Sequence, residues 1–548
     1  MKELGRQEIS DKFIELFFKA MVIGNSAFRF VDIPFAQDAF NLVKVNFPKR
    51  DKARTKLLDK LADDANRWID AQISDSEFVS IRLDGFKNVN SDHAVSVVVK
   101  TMDKTIFFRS FNDPVQSQDQ FYLSSILKQV IREVGAAKVA SIGGDNAAVV
   151  EAACNLVVND ASGDFKDILV VLCTVHIINL VLQEICQLDS VKNTLCIAKQ
   201  ITSTINRSSV LHNAFRRLQE EKNVHITLKN FCVTRFYSIQ QVLESVEVNE
   251  EVLKQLAFNE SKCQAFKNKP ELLRAMIDLD DGFYRAVKDV LRVVREVGSC
   301  IGQLEKDNCR LSDVTPTFNS LCYVFGTHDD EMAHICERRW TEIAKPMYHL
   351  ATVFDPRYFH NPDGHPLNNE QLSSANEYFE TSLDSFDYEN AAGISDCYLK
   401  YRNKQEFFKN KIYSGCPIRF WRQYLTFSEN YKQLALIALK FISVHPHSCD
   451  CERQHSVHKA IQTKSRNRLS DDTVEKLLRC KTYLWHNDAY EKEREKKRCD
   501  SIVDFLVLES DDLDDELEET ADYDRDAHEE ELIEFFCGND DEQTDDEI

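Results

Sequence analysis

Five short β-like runs, interleaved with helical stretches in one particular order, constrain this chain more than any other feature. FVSIRLD (78–84), AVSVVVK (94–100) and KTIFFRSF (104–111) are β-branched or aromatic and are joined by short polar turns. They predict three consecutive antiparallel strands. A helical stretch follows over 120–134, then a fourth strand, KVASIGG (138–144), which runs straight into a helix at 146–158. DILVVLC (167–173) reads as a fifth strand, with another helix starting near Val175. A helix before the fourth strand makes a right-handed crossover, which returns that strand parallel to the first.

The order β-β-β-α-β-α-β-α is that of an RNase H-like sheet, a mixed five-stranded α/β architecture. The flanking sequence divides accordingly. Residues 1–76 have helical periodicity (Phe13, Leu16, Phe17, Met21) broken at Ile33-Pro34-Phe35. The first part of the core is expected over 77–240. From 241 to 440 the pattern is helical throughout and suggests a large inserted helical domain. Residues 441–490 return to dense motif and are expected to complete the core. A basic cluster, KEREKKR (492–498), leads into the last segment, 491–548, expected to be a disordered acidic tail.

Charge has to be read by region. The formal net charge of the 548 residues is -22, but 501–548 holds 22 Asp and Glu against one basic residue, Arg525. The preceding 500 residues carry 68 acidic and 67 basic side chains, so the body is near neutral and the overall acidity says little about its partners. There is no apolar run of membrane-spanning length and no secretory-type N-terminus. The 17 cysteines lack any CxxC pair, which reads as reduced thiols and not a disulfide framework.

Two aspartates stand where strands end. Asp84 closes the first run before Gly85, and Asp145 follows the fourth and opens a helix. On neighbouring strands they would leave the same sheet edge, where two carboxylates repel unless a cation lies between them. Oxygen ligands of this kind suit Mg²⁺ or Mn²⁺, and a third carboxylate from a helix would complete a two-metal clamp. Taken singly, each aspartate reads equally as a turn or helix-cap residue.

The joint pattern is more specific. LDGFKNVNSDH (83–93), GGDNAAVVEAAC (143–154), CTVHIINL (173–180), VTRFYS (233–238), LATVFDPRYF (350–359) and CERQHSVHKAIQTKSRNRL (451–469) occur in that order. Together they resemble the hAT superfamily of transposases and their domesticated descendants, over roughly 10–490. The resemblance implies an acidic triad of Asp84, Asp145 and Glu452, with Glu452 in the counterpart of a Ser-x-Glu-Arg motif. It implies two Mg²⁺ or Mn²⁺ ions, metal-dependent DNA cleavage and transfer at transposon ends, and a nuclear location. It also implies a homodimer or higher oligomer through the C-terminal segment, where Val474, Leu477, Leu478, Leu484 and Trp485 form an apolar stripe. A domesticated descendant would keep the fold and the dimer without the chemistry.

Further residues follow from the same resemblance. Arg235 and Phe236 match a Thr-Arg-Trp segment whose tryptophan stacks on an unpaired base, with phenylalanine in its place here; Phe86 also stands where tryptophan is usual. Arg453, Lys464, Arg466 and Arg468 are candidates for phosphate contacts. Cys173 and His176 match a Cys-x-x-His motif, which reads either as half a zinc site or as packing of helix on sheet. His445, His447, Cys449, Cys451, His455 and His458 form a second group rich in metal-ligating residue types, but their spacing fits no familiar zinc pattern. No finger-like Cys/His pattern precedes Asp84, so the resemblance covers the family's catalytic region without its N-terminal BED zinc finger.

Overall fold

The computed structural model describes residues 6–112, 119–231, 238–259, 264–266, 269–277, 282–327, 329–359, 366–385, 390–409 and 413–486. Arg235, Phe236, the basic cluster 492–498 and the acidic tail lie outside the described residues.

The expected strand order is the one observed. β1 (Val79–Lys87), β2 (His93–Lys100) and β3 (Thr105–Asn112) form an antiparallel meander. The first turn is closed by Asn88, whose side-chain oxygen accepts the N–H groups of Asn90 and Asp92, both at 2.9 Å. Helix Gln120–Val134 starts where Asp119 caps the N–H groups of Phe121 and Tyr122, and ends at Gly135, whose φ of 98° only glycine adopts readily. It returns the chain to β4 (Val139–Gly143), parallel to β1, and β5 (Leu169–Val170) adds a parallel edge. The full order is β3-β2-β1-β4-β5, a mixed five-stranded RNase H-like sheet.

Two details differ from expectation. β1 runs on to Lys87, because β2 continues to pair with it beyond β4; Asp84 therefore sits within the strand, opposite Ser96, and not at its end. β5 is only two residues long. Beyond it, Val171 and Cys173 still donate their N–H groups to Ile142 and Gly144 across the edge, but the helix Thr174–Ile185 begins at once.

One face of the sheet packs Ile81, Leu83, Val95, Val97, Val99 and Ile142 against Leu127, Val130, Ile131, Ala153 and Val157 of the two crossover helices. β2 is buried on both faces from Ala94 to Lys100, so its sequence is mostly apolar, with Ser96 and Lys100 as polar exceptions on one face. Its second face meets the helix Cys449–Ile461 through Ser96–His455 and Lys100–Asp450.

A second apolar cluster joins the two ends of the chain. Phe18, Met21, Phe40, Phe47, Leu58 and Leu61 of the N-terminal helices enclose Val474, Leu477, Leu478 and Leu484 of helix Asp471–Trp485. The C-terminal stripe is thus spent on the chain's own core.

By packing, the chain separates into two compact units with boundaries other than those expected at 240 and 440. The first comprises residues 1–176, 304–316 and 344–500. Residues 344–440 build an aromatic core of their own, in which Phe354 packs against Trp421 and Phe441 and Trp421 donates its indole N–H to the Phe354 carbonyl at 2.7 Å, and Arg422 beside it ties this stretch to Glu77 at 2.7 and 2.6 Å. The LATVFDPRYF segment pins the short return 304–316 to this core. Ser312 donates to the fully buried Asp355 at 2.6 Å, and Arg357 and Tyr358 both reach Asp313, at 2.7 and 2.8 Å. The described elements of the second unit, within 177–303 and 317–343, are all helices, with an irregular stretch over 224–231. Its longest helix lies within Gly282–Leu304, and a buried Asn249 ties its turns by donating to the Ile226 and Ser245 carbonyls, both at 2.8 Å.

Two glycines set how closely the sheet elements approach at the end of β4. A Cβ on Gly143 would lie 1.9 Å from the Val171 carbonyl oxygen, and one on Gly144 would lie 2.5 Å from that of Leu83. Gly144→Ala must therefore push β1 and β4 apart just where Asp84 and Asp145 leave the sheet. A destabilisation of about 1–3 kcal/mol in chemical denaturation is expected. Gly415→Ala, with open space around the added carbon, should stay within about 0.5 kcal/mol of the parent.

Candidate active site at the end of the sheet

The site is assembled from three distant stretches. β1 carries Asp84, the turn after β4 carries Asp145, and the segment 443–450 delivers the helix Cys449–Ile461 with Glu452 in its first turn. That delivery is fixed by polar groups withdrawn from water. The Arg82 guanidinium, buried in the sheet, donates to the His445 carbonyl and to Ser141 Oγ at 3.2 Å. Thr174 donates both its N–H (2.8 Å) and its hydroxyl (3.0 Å) to the Pro446 carbonyl. Ser448 N–H points at Cys173 Sγ, 3.4 Å away.

The strongest tie is an ion pair. Lys100 ends β2 and Asp450 opens the helix; both side chains are 1% exposed, and the ammonium contacts the carboxylate directly. Arg453, one turn on, also reaches Asp450 and lies 3.1 Å from Asp307. Burial pushes the Asp450 carboxyl upward, but the charges of Lys100 and Arg453 outweigh it and hold the group well below the ordinary carboxylate range.

Against this frame the three candidate carboxylates share one electrostatic field. Asp84 is raised to about 8, first by burial and then by the negative charges of Asp145 and Glu452, with the Gly85 N–H opposing. Glu452 is raised to about 7 by the protein packed around it, then by Cys173 and Glu305, with Asp145 adding to the effect. Glu452 itself is exposed at the rim of the site, where water tempers that rise. Asp145 accepts the Ala147 N–H at 3.2 Å. Next to it, the solvent-shielded side-chain oxygen of Asn146 has no hydrogen-bond partner among the described residues.

These donors are all oxygens, which suits a hard divalent cation. They do not amount to a finished coordination shell. Among the described residues, no three His, Cys, Asp or Glu side chains are arranged to hold a metal ion. That holds also for Cys173 with His176 and for the His/Cys-rich stretch 445–458. There, Cys173 interacts with Cys449 and Ser448, and the Cys449 thiol, the Ser448 N–H and the His176 N–H bring its own thiol down to about 6 against burial. His445 and His447 are fully enclosed and held neutral, by burial first and by Lys100 second.

The basic candidates separate. Lys464 and Arg468 are exposed. Arg466 donates to the Asn25 carbonyl at 2.7 Å and so joins the two ends of the chain. Arg453 is half exposed and engaged by Asp450 and Asp307. Sequence patterns alone do not single out Arg82, Ser96, Lys100, Asp450, Asn146 or Glu305. Lys100 at the end of an otherwise apolar strand is a signal in principle. Its partner, however, lies 350 positions away, and no local pattern links the two.

The raised Asp84 pKa has a thermodynamic consequence. A carboxyl that ionises near 4 in the unfolded chain but near 8 in the fold favours the folded state fully only below pH 4, and that favour is lost as pH rises through 8. Asp84→Asn should therefore stabilise the fold in metal-free buffer at pH 8 by an amount on the order of 1–3 kcal/mol, seen as a higher melting temperature, with the gain fading towards pH 4. Melting curves of both proteins across that range in chelator check this.

A protein-family model described as a domain of unknown function, DUF659, matches residues 48–201. The match takes in all five strands, Asp84, Asp145, Cys173 and His176, and stops well short of Glu452. No curated protein matches the chain.

Proposed function

We propose that this chain is a transposase-derived protein of hAT type whose RNase H-like core cleaves and joins DNA strands with divalent metal. The matched family occurs in hAT-type, transposase-like proteins, which supports the transposase-related origin. The observation that carries the chemical reading is the shared field: Asp84 and Glu452 stand 368 positions apart in sequence, yet Glu452 and Asp145 both raise the cost of ionising Asp84, and Asp145 also raises that of Glu452. Such a cluster is stabilised when a cation neutralises it.

Asp84, Asp145 and Glu452 would hold Mg²⁺ or Mn²⁺, with Asn146 beside them. When bound, the metal supplies Lewis-acid activation of a water or 3′-hydroxyl and charge neutralisation at the phosphate. The chain's own contributions are distinct. The Lys100–Asp450 pair and the Arg82 contact orient the helix bearing Glu452, and exposed Lys464 and Arg468 offer phosphate contacts beside it. Arg235 and Phe236 remain candidates for holding an unpaired base. DNA is the proposed partner and the nucleus the proposed compartment. Self-association through 441–490 would have to use the outer face of the last helix, since its apolar stripe is enclosed.

One observation favours a second reading. The carboxylates do not form a finished ligand set among the described residues, as expected of a domesticated protein that keeps the fold as a dimerising DNA- or chromatin-binding scaffold. Incubating the purified chain with nicked-end and hairpin DNA in Mn²⁺ separates the two. Strand cleavage that falls by about 100-fold or more in Glu452→Ala and Asp84→Asn is the expected outcome for the enzyme. Equal cleavage in parent and variants would mark a contaminating nuclease and leave the scaffold reading.

A further inference from the structure

Asp84 and Ser96 face each other across β1 and β2 as a direct cross-strand pair. The helix Cys449–Ile461 lays one imidazole over both. His455 Nε2 lies 2.7 Å from Ser96 Oγ, and His455 Nδ1 lies 3.7 Å from Asp84 Oδ2. Phe86, two residues beyond Asp84 on the same strand face, stacks on that ring with centroids 4.3 Å apart and planes 25° from parallel. His458, one turn further, meets the other part of the Phe86 ring edge-on at 4.9 Å.

The connectivity Ser–His–Asp is that of a hydrolytic triad, but the chemistry does not follow. Ser96 is 2% exposed in the middle of a sheet, enclosed by the strand and helix around it, so no acyl substrate reaches its hydroxyl. The same connectivity suits one tautomer. A Ser96 O–H donating to Nε2 leaves the proton on Nδ1, the nitrogen directed at Asp84. At 3.7 Å the contact is electrostatic and not a closed hydrogen bond. It sets the imidazole against one carboxylate oxygen, Oδ2.

We propose that His455 is the positioning residue of Asp84: fixed in one tautomer by Ser96 and seated by Phe86, it aims the first carboxylate. This rests on the reading that Asp84, Asp145 and Glu452 bind divalent cations. Glu452 and His455 are three residues apart on one helix and so lie on neighbouring faces of it. A single rigid element then supplies one carboxylate and orients another, and a displacement of that helix loosens both at once. Phe86 gains a role in the same arrangement, since its ring is the platform on which the imidazole rests.

The test is Mn²⁺ affinity of the full chain, by calorimetric titration, alongside melting in chelator. His455→Phe keeps a ring on Phe86 and removes both nitrogens; Ser96→Ala frees the tautomer from the far side. Each is expected to weaken Mn²⁺ binding by about 10–100-fold, the usual effect of removing an outer-shell partner, with melting in chelator unchanged. His455→Asn, whose amide N–H can stand where Nδ1–H stood, should recover part of the loss. Parent-like affinity in His455→Phe overturns the proposal and leaves the metal reading intact. Affinity that merely tracks melting temperature across all three variants, Asn included, overturns it in favour of a packing role. A parent chain that binds no Mn²⁺ removes the metal reading itself, and the proposal with it.

Discussion

The buried contact between Lys100 and Asp450 is the interaction on which the rest of the site depends. It joins the last residue of a central strand to the first turn of a helix 350 positions later. Two charges withdrawn this fully from water recover their desolvation cost only through close mutual contact and further hydrogen bonds, so such a pair is a poor source of net stability. Its effect is on geometry. Either partner alone would be an uncompensated charge in the interior, which makes alternative placements of the helix costly. Arg82, donating to the His445 carbonyl just upstream, and Thr174, donating to Pro446, apply the same constraint to the approach of the chain. Glu452 is therefore located by its neighbours, and its own side chain remains available at the rim.

The carboxylates form the opposite case. Asp84 lies in a strand whose other side chains are almost all buried or paired, and its charge meets those of Asp145 and Glu452 instead of a cation from the protein. Lys100 and Arg82 lie close by in sequence, yet both are committed elsewhere, to Asp450 and to backbone carbonyls. The fold thus keeps its buried cations for architecture and leaves its acidic cluster uncompensated. An arrangement of that kind opposes stability and is retained where an external cation or a proton completes it.

Much of this was legible in the sequence. The five strands, the helix 120–134 and the crossover that makes β4 parallel to β1 are local consequences of β-branched runs, a capping aspartate and a glycine stop. Other features could not be read locally, for physical reasons. The boundary at 240 followed a change of texture, whereas the compact units divide at 176 and 344, with later helices tied back through Arg422 on Glu77 and through Asp355 and Arg357 on the return 304–316. The strand 167–173 shrank to two residues because an edge strand with a single neighbour yields early to the following helix. The apolar stripe after Ser470 reads in sequence as core or interface alike, and Val474, Leu477, Leu478 and Leu484 pack with the N-terminal phenylalanines.

By itself, then, the sequence determined the elements and their order, since helix caps, turns and hydrophobic periodicity act over a few residues. It also singled out three acids, through motif order. Only the tertiary structure decided which groups those acids meet: Ser96 and His455 beside Asp84, Glu305 beside Glu452, Lys100 beneath the helix that carries it. The reason is range. Desolvation and Coulombic forces act between groups that packing brings together, whatever their separation in the chain, and nothing in a local pattern records that separation closing.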